Sequence, residues 1–204
     1  SIMKKTTIIS DLDGTLYPKS NGLTRQIDNL ADSFLSSATG MSKNQLIRLE
    51  EIYPNILDAL KVLQIPKKTY YTNVHNKLDY SVLRPNTEMN NLLASMKLNL
   101  FVVSLSPAEH IKRVLSLLQL ENLVTGAFSI VQEHTSNKGS CYKKIINQYK
   151  LSEDEVCVVG DNYLLDIEPA KRLNLSAALI SHPTHIYTPS FTDFHQFLQS
   201  RLFF

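Results

Sequence analysis

The chain has 204 residues, of which 43% are hydrophobic and 20% charged, the make-up of one ordinary folded domain or of one domain carrying an insertion. Its 21 Lys and Arg stand against 19 Asp and Glu, a formal charge of +2, which argues against a polyanion-binding surface, so no nucleic acid partner is expected. Two cysteines, Cys141 and Cys157, are too few for a disulfide framework or a zinc cluster and fit a reducing compartment.

No apolar run approaches the ~20 residues of a membrane span. The apolar run after Lys4 and Lys5 soon meets Asp11 and Asp13, which is no signal-peptide core. A cytoplasmic protein is expected, with Met3 as its native start.

Thr6 to Ser10 is β-branched and apolar without a helical period, as a buried strand requires. The next stretch breaks the strand pattern. Thr24 to Leu35 carries Ile27, Leu30, Ala31, Phe34 and Leu35 on one side, and Ser36 to Gly40 interrupts it. Ser42 to Ile52 and Ile56 to Leu63 are further helical patterns, ended by Pro66. A strand is possible at Thr69 to Thr72. Residues 18–85 therefore read as a helical insertion.

Beyond it, short apolar runs recur at Leu98–Ser104, Ala127–Val131, Val156–Gly160 and Ser176–Ser181. Helical stripes separate them at Pro107–Leu118, Ser140–Tyr149 and Tyr163–Leu173. Strands alternating with helices predict an α/β fold, a parallel sheet covered on both faces. Phe191 to Phe204 reads as a closing helix on the core.

Ligands of open parallel sheets bind beyond the carboxyl ends of the strands. The first strand runs into Asp11-Leu12-Asp13-Gly14-Thr15, which puts two acids there, with Gly14 allowing a sharp turn. A solvated turn or an N-cap at Asp13 would explain the same residues. Ser104 ends the second run, where its hydroxyl can donate to an anion or close a turn ahead of Pro107. Lys138 opens a helix against its dipole, a hint of a nearby anion, although Lys143 and Lys144 compete for that role. The run Val158-Val159-Gly160-Asp161 ends in another acid, and Asp166 follows five positions on, a spacing that lets both reach one metal. Chance placement of all four features is improbable.

Together they resemble the haloacid-dehalogenase-like (HAD) superfamily, across residues 4–17 and 86–185. The resemblance implies a Rossmann-like, three-layer parallel-sheet core (residues 1–17 and 86–204) with a helical C1 cap (residues 18–85). Tyr17, the Leu78–Asn86 stretch and the placing of His110, Arg113, Val114 and Leu115 after Ser104 resemble the pyrimidine 5'-nucleotidase branch. Leu105 stands where Asn is common, so any contact of that amide is missing.

What the resemblance implies is a Mg²⁺-dependent phosphate monoester hydrolase acting on a small phosphorylated metabolite such as a nucleoside 5'-monophosphate. Asp11, the Asp13 carbonyl and Asp161 are then the metal ligands, with Asp166 orienting a metal water. Asp11 is the nucleophile and Asp13 the acid and base. Ser104, Lys138 and the backbone of Leu12, Gly14, Thr15 and Leu105 face the phosphoryl oxygens. Presence of Asp13 disfavours dehalogenation, since a halide needs no proton. A phosphosugar phosphatase, a phosphomutase or a non-catalytic binding protein on the same scaffold are the alternatives. Leaving-group contacts are expected from Tyr53, Tyr70, Tyr71, His75 and Lys77, the tyrosines mainly as packing, and His110 is expected to be solvated.

Overall fold

The computed structural model describes residues 4–180 and 188–204; Met3 and the last residue of the Ser176–Ser181 run lie outside them. Among the described residues, six parallel strands form one sheet in the order β3-β2-β1-β4-β5-β6. They are β1 (Thr7–Ser10), β2 (Asn99–Ser104), β3 (Gly126–Ser129), β4 (Val156–Gly160), β5 (Ser176–Ile180) and the short β6 (Ser190–Phe191). The first strand is therefore central. Thr7 faces Asn99 on one side and Val156 on the other.

Side chains of successive strand residues point to opposite faces, which makes two cores. Ile8, Leu100, Val102, Cys157 and Val159 pack on one face, and Ile9, Phe101, Val103, Val158 and Leu179 on the other. A strand buried on both faces cannot alternate apolar with polar, which is why these runs are continuously hydrophobic. The first face is covered by α5 (Thr87–Met96), α6 (Ala108–Leu117) and α9 (Phe194–Leu198), through residues such as Leu93, Val114 and Phe197. On the second face lie α7 (Lys138–Gln148) and α8 (Glu168–Arg172), through Tyr142, Ile145 and Ala170. The result is a three-layer α/β fold.

Residues 18–85 hold α1 (Leu23–Thr39), α2 (Lys43–Ile52), α3 (Ile56–Val62) and α4 (Lys67–Asn73). Their Leu35, Leu46, Leu60, Tyr70 and Tyr71 join the second core. Ser42 and Gln45 form a capping box on α2, and Asn55 caps α3, each such cap contributing about 1 kcal/mol.

Several expected elements differ. Thr69 to Thr72 lies inside α4 rather than in a strand: Pro66 opens the helix, and Tyr70 and Tyr71 are drawn into the core. Of the Ser36 to Gly40 stretch only Gly40 interrupts the helix: α1 runs through to Thr39 and stops at Gly40 in the left-handed conformation. The third strand ends at Ser129 and a single 3-10 turn follows. Tyr163 to Leu173 begins as a π-turn over Tyr163–Ile167 before becoming α8, with Pro169 in its first turn. The closing helix covers only Phe194–Leu198, after Asp193 caps it. A helix not expected from the sequence spans Thr87–Met96, capped by Asn86. No helix among the described residues is long and apolar enough to cross a membrane.

Candidate active site

Because β2, β1 and β4 are neighbours, the loops leaving their carboxyl ends converge. They open into a cavity of about 370 Å³ that includes Asp11, Asp13, Ser104, Lys138, Asp161 and Asp166. Ile27, Asp28, Glu50 and Tyr70 of the inserted helices form part of its wall. Asp11, Asp13, Ser104 and Asp161, far apart in sequence, are thus brought to one place by strand order, and Lys138 joins them from the start of α7.

Asp11 sits at the centre. Lys138 Nζ donates to its Oδ1 at 2.9 Å and the Thr15 hydroxyl donates to Oδ2 at 3.1 Å. The same ammonium donates to Asp166 Oδ1 at 2.6 Å. Lys138 reaches inward because Asn137 caps α7, accepting from Gly139 N–H at 2.7 Å. Burial would favour its neutral form, but Asp11 and Asp166 outweigh that and hold it charged, with its pKa well above the ordinary value. Lys143 is exposed, and Lys144 pairs with Glu133 at 3.0 Å. Of the three lysines, Lys138 alone joins the cavity.

Oxygens of Asp11, Asp161 and Asp166 lie within 4.8 Å of one another. Burial first, then repulsion from Asp11 and Asp166, pushes Asp161 up to about 8. Burial and Asp11 likewise push Asp166 up to about 6 despite the neighbouring Lys138. Carboxylates so crowded are short of positive charge. Lys19, a residue the sequence reading did not single out, answers part of it by pairing with Asp161 at 3.0 Å. The donors are all hard oxygens, so the cluster suits a Mg²⁺-type cation rather than a soft metal.

Two glycines make the cluster possible. Gly14 has φ +77°, and a Cβ there would stand 2.8 Å from Asp161 Oδ2. A Cβ on Gly160 would stand 2.5 Å from Asp166 Cβ and closer still to its carboxylate. Side chains at either place would displace an acid.

Asp13 has a separate set of partners. Tyr17 OH donates to Oδ1 at 2.7 Å, His110 Nε2 to Oδ1 at 2.8 Å, and Ser106 Oγ to Oδ2 at 2.8 Å. Burial alone would raise its pKa, but the neighbouring His110 ring and these three hydrogen bonds prevail and hold it at about 2. Asp13 is thus neither a solvated turn residue nor a helix cap.

His110 is the main correction. Expected in solvent, it is 3% exposed, and Tyr80 OH bonds its Nδ1 at 2.7 Å. One signal was available: His110 precedes Val114 by four positions, on the buried stripe of α6. Ser106 and Tyr80 carried no such signal as site residues. Ser106 also bonds His75 Nε2, at 3.2 Å.

The remaining expectations are mixed. Ser104 is buried at the cavity and its Oγ accepts from Ser106 N–H at 3.0 Å, so its hydroxyl closes the turn while facing the site. Leu105 also lines the cavity, and its carbonyl accepts from Tyr71 OH. Leu12 is wholly buried in the first core, and Thr15 bonds Asp11. Tyr70, Tyr71 and His75 reach the cavity, Tyr53 an adjoining one, and Lys77 is exposed. Tyr70 packs edge-on against Phe34 and Tyr71, as packing residues do.

A search of curated sequences returned no match. Among solved structures, a predicted phosphoglycolate phosphatase from Haemophilus somnus 129PT is 16% identical, with TM-score 0.64 over 98% of this chain and 99% of that one. A HAD phosphatase from Thermococcus onnurineus is 17% identical, with TM-score 0.62 over 97% of each chain. Magnesium-bound YfnB from Bacillus subtilis is 11% identical, with TM-score 0.66 over 97% of this chain and 98% of that one. Such identities speak for the fold alone. The sequence model described as haloacid dehalogenase-like hydrolase matches residues 8–180, from the central strand through Asp11, Lys138 and Asp161 to β5, and the chain belongs to that family.

Proposed function

We propose that the protein is a Mg²⁺-dependent phosphate monoester hydrolase that works through an aspartyl-phosphate on Asp11. The observation that carries this reading is the juxtaposition around Asp11. Its carboxylate shares one cavity with the Asp161 and Asp166 oxygens, the buried Lys138 ammonium and the Asp13 side chain.

Asp11, Asp161, Asp166 and the Asp13 carbonyl would hold the cation. Bound there, Mg²⁺ would supply positive charge against the phosphoryl dianion. Lys138 supplies a second positive charge beside the nucleophile, and Ser104 a hydroxyl. Thr15 and Lys138 orient the two Asp11 oxygens. An Asp11 oxygen attacks phosphorus as the ester P–O bond breaks, and the leaving alkoxide takes a proton from Asp13. Asp13 then takes a proton from water, whose oxygen attacks phosphorus and frees Asp11 and inorganic phosphate. An approaching dianion disfavours ionised Asp13 and so raises its proton affinity from the low value of the free site.

Residues 18–85 serve as the cap over the leaving group, since Ile27, Asp28, Glu50 and Tyr70 line the cavity wall. The substrate is a small phosphorylated metabolite. The stretches around Leu78–Asn86 and His110–Leu115 favour a nucleoside 5'-monophosphate. The carboxylates of Asp28 and Glu50, which can accept from hydroxyls, favour a phosphosugar as the second reading.

Phosphate release over nucleoside monophosphates, sugar phosphates and phosphoglycolate, with and without Mg²⁺, tests the proposal. Metal-dependent turnover that Asp11→Asn abolishes is expected. Turnover surviving that substitution, or silence across the panel, overturns it.

A further inference from the structure

We infer that His110, backed by Tyr80, is a positioning residue that orients the Asp13 carboxylate for proton transfer; the inference rests on the function proposed above. Asp13 has donors on both oxygens, but they differ in how they are held. Tyr17 belongs to the same turn as Asp13 and moves with it. His110 comes from α6, and its side chain is 1% exposed. Its Nε2 meets Asp13 Oδ1 at 2.8 Å while Nδ1 meets Tyr80 OH at 2.7 Å. Tyr80 is clamped in turn, with the Arg113 guanidinium 4.2 Å from its ring centroid. The imidazole cannot rotate without losing a bond at each end.

An ionised carboxylate oxygen only accepts hydrogen bonds. Nε2 therefore carries a proton whichever charge the ring bears. Tyr17 and His110 together place two donors on Oδ1, whereas among the described residues Oδ2 has Ser106 alone. Oδ2 is the less encumbered oxygen, and Ser106 lines the cavity. His110 thus turns Oδ2 toward the reacting ester.

The test separates orientation of an acid from general loss of structure. With enzyme in excess, release of phenol and of p-nitrophenol from their phosphate monoesters reports the first chemical step alone. The nitrophenolate departs with little need of a proton; the phenolate needs one more. His110→Ala is expected to slow phenyl phosphate at least ~tenfold more than p-nitrophenyl phosphate, within the range of general-acid effects. His110→Gln, which keeps an N–H near the Nε2 place, is expected to recover most of the difference. Tyr80→Phe, which removes one hydroxyl, is expected to act in the same sense and more weakly.

Equal losses on both esters, or Gln performing no better than Ala, overturn the inference and leave the proposed function standing. Silence of the unsubstituted protein on both esters and across the metabolite panel above overturns the two together. Nitrogen-15 NMR of the unsubstituted protein adds a readout that needs no variant to fold: a His110 ring without a proton on Nε2 also overturns the inference.

Discussion

Replacing Gly160 by alanine puts one methyl group against the acid cluster. The new Cβ would lie 2.5 Å from Asp166 Cβ, where ordinary contact begins at 3.4 Å. Asp166 must therefore retreat by about 1 Å. It has little room: it is 1% exposed, bonded to Lys138 at 2.6 Å and accepting from Asn162 N–H at 3.1 Å. Overpacking costs about 1–3 kcal/mol, and a charge-assisted hydrogen bond contributes about 1.5–3 kcal/mol. With partial relaxation the sum is about 3 kcal/mol. For a chain of this size that is a drop of about 6–12 °C in Tm. Urea unfolding measured in EDTA and again in Mg²⁺ is the assay. The unsubstituted protein is expected to gain about 2.7 kcal/mol at Mg²⁺ one hundred times its Kd, and the variant less at the same concentration. A variant within about 0.5 kcal/mol of the parent, with the same gain from Mg²⁺, refutes the steric reasoning.

The metal-free protein should lose stability as pH rises. Asp161 and Asp166 have raised values of about 8 and about 6 when folded, so between about pH 4 and 8 the folded chain holds protons that the unfolded chain has released. Urea midpoints in EDTA should fall across that window, and Mg²⁺ should flatten the trend; a rising midpoint contradicts the cluster as described. Lys138→Met leaves half-buried Asp11 and buried Asp166 without their shared cation and should cost about 3–5 kcal/mol, read by the same unfolding curves, as well as activity. Asn55→Ala should cost about 1–2 kcal/mol, because Asn55 caps α3 and donates to the Ser136 carbonyl at 2.6 Å; limited proteolysis should find the inserted helices cut sooner.

The strand–helix alternation was legible because a strand buried on both faces has to be continuously apolar, and the five runs read that way all became strands. The acids were legible for a related reason, since each follows such a run directly and a sheet presents its strand ends together. Elements decided by tertiary contacts were not. Thr69 to Thr72 is β-branched and aromatic, yet Tyr70 and Tyr71 gain more by packing from a helix than from a strand with no neighbour to pair with. Partners such as Ser106, Tyr80 and Lys19 are ordinary residues in sequence, and only the folding of β1 between β2 and β4, and of the insertion against α6, brings them to Asp13 and Asp161. The choice of Lys138 over Lys143 and Lys144 follows from the Asn137 cap, which fixes the side of α7 that looks inward.

The central place of β1 has a bearing on synthesis. Thr7 to Ser10 leave the ribosome long before their hydrogen-bonding neighbours, Asn99 to Val102 and Val156 to Val159. A nascent chain halted anywhere before the second of these segments keeps one edge of an apolar strand unpaired, a template for association with other chains. Chaperone capture of ribosome-bound fragments should therefore persist until about residue 160 has emerged, and end abruptly afterwards.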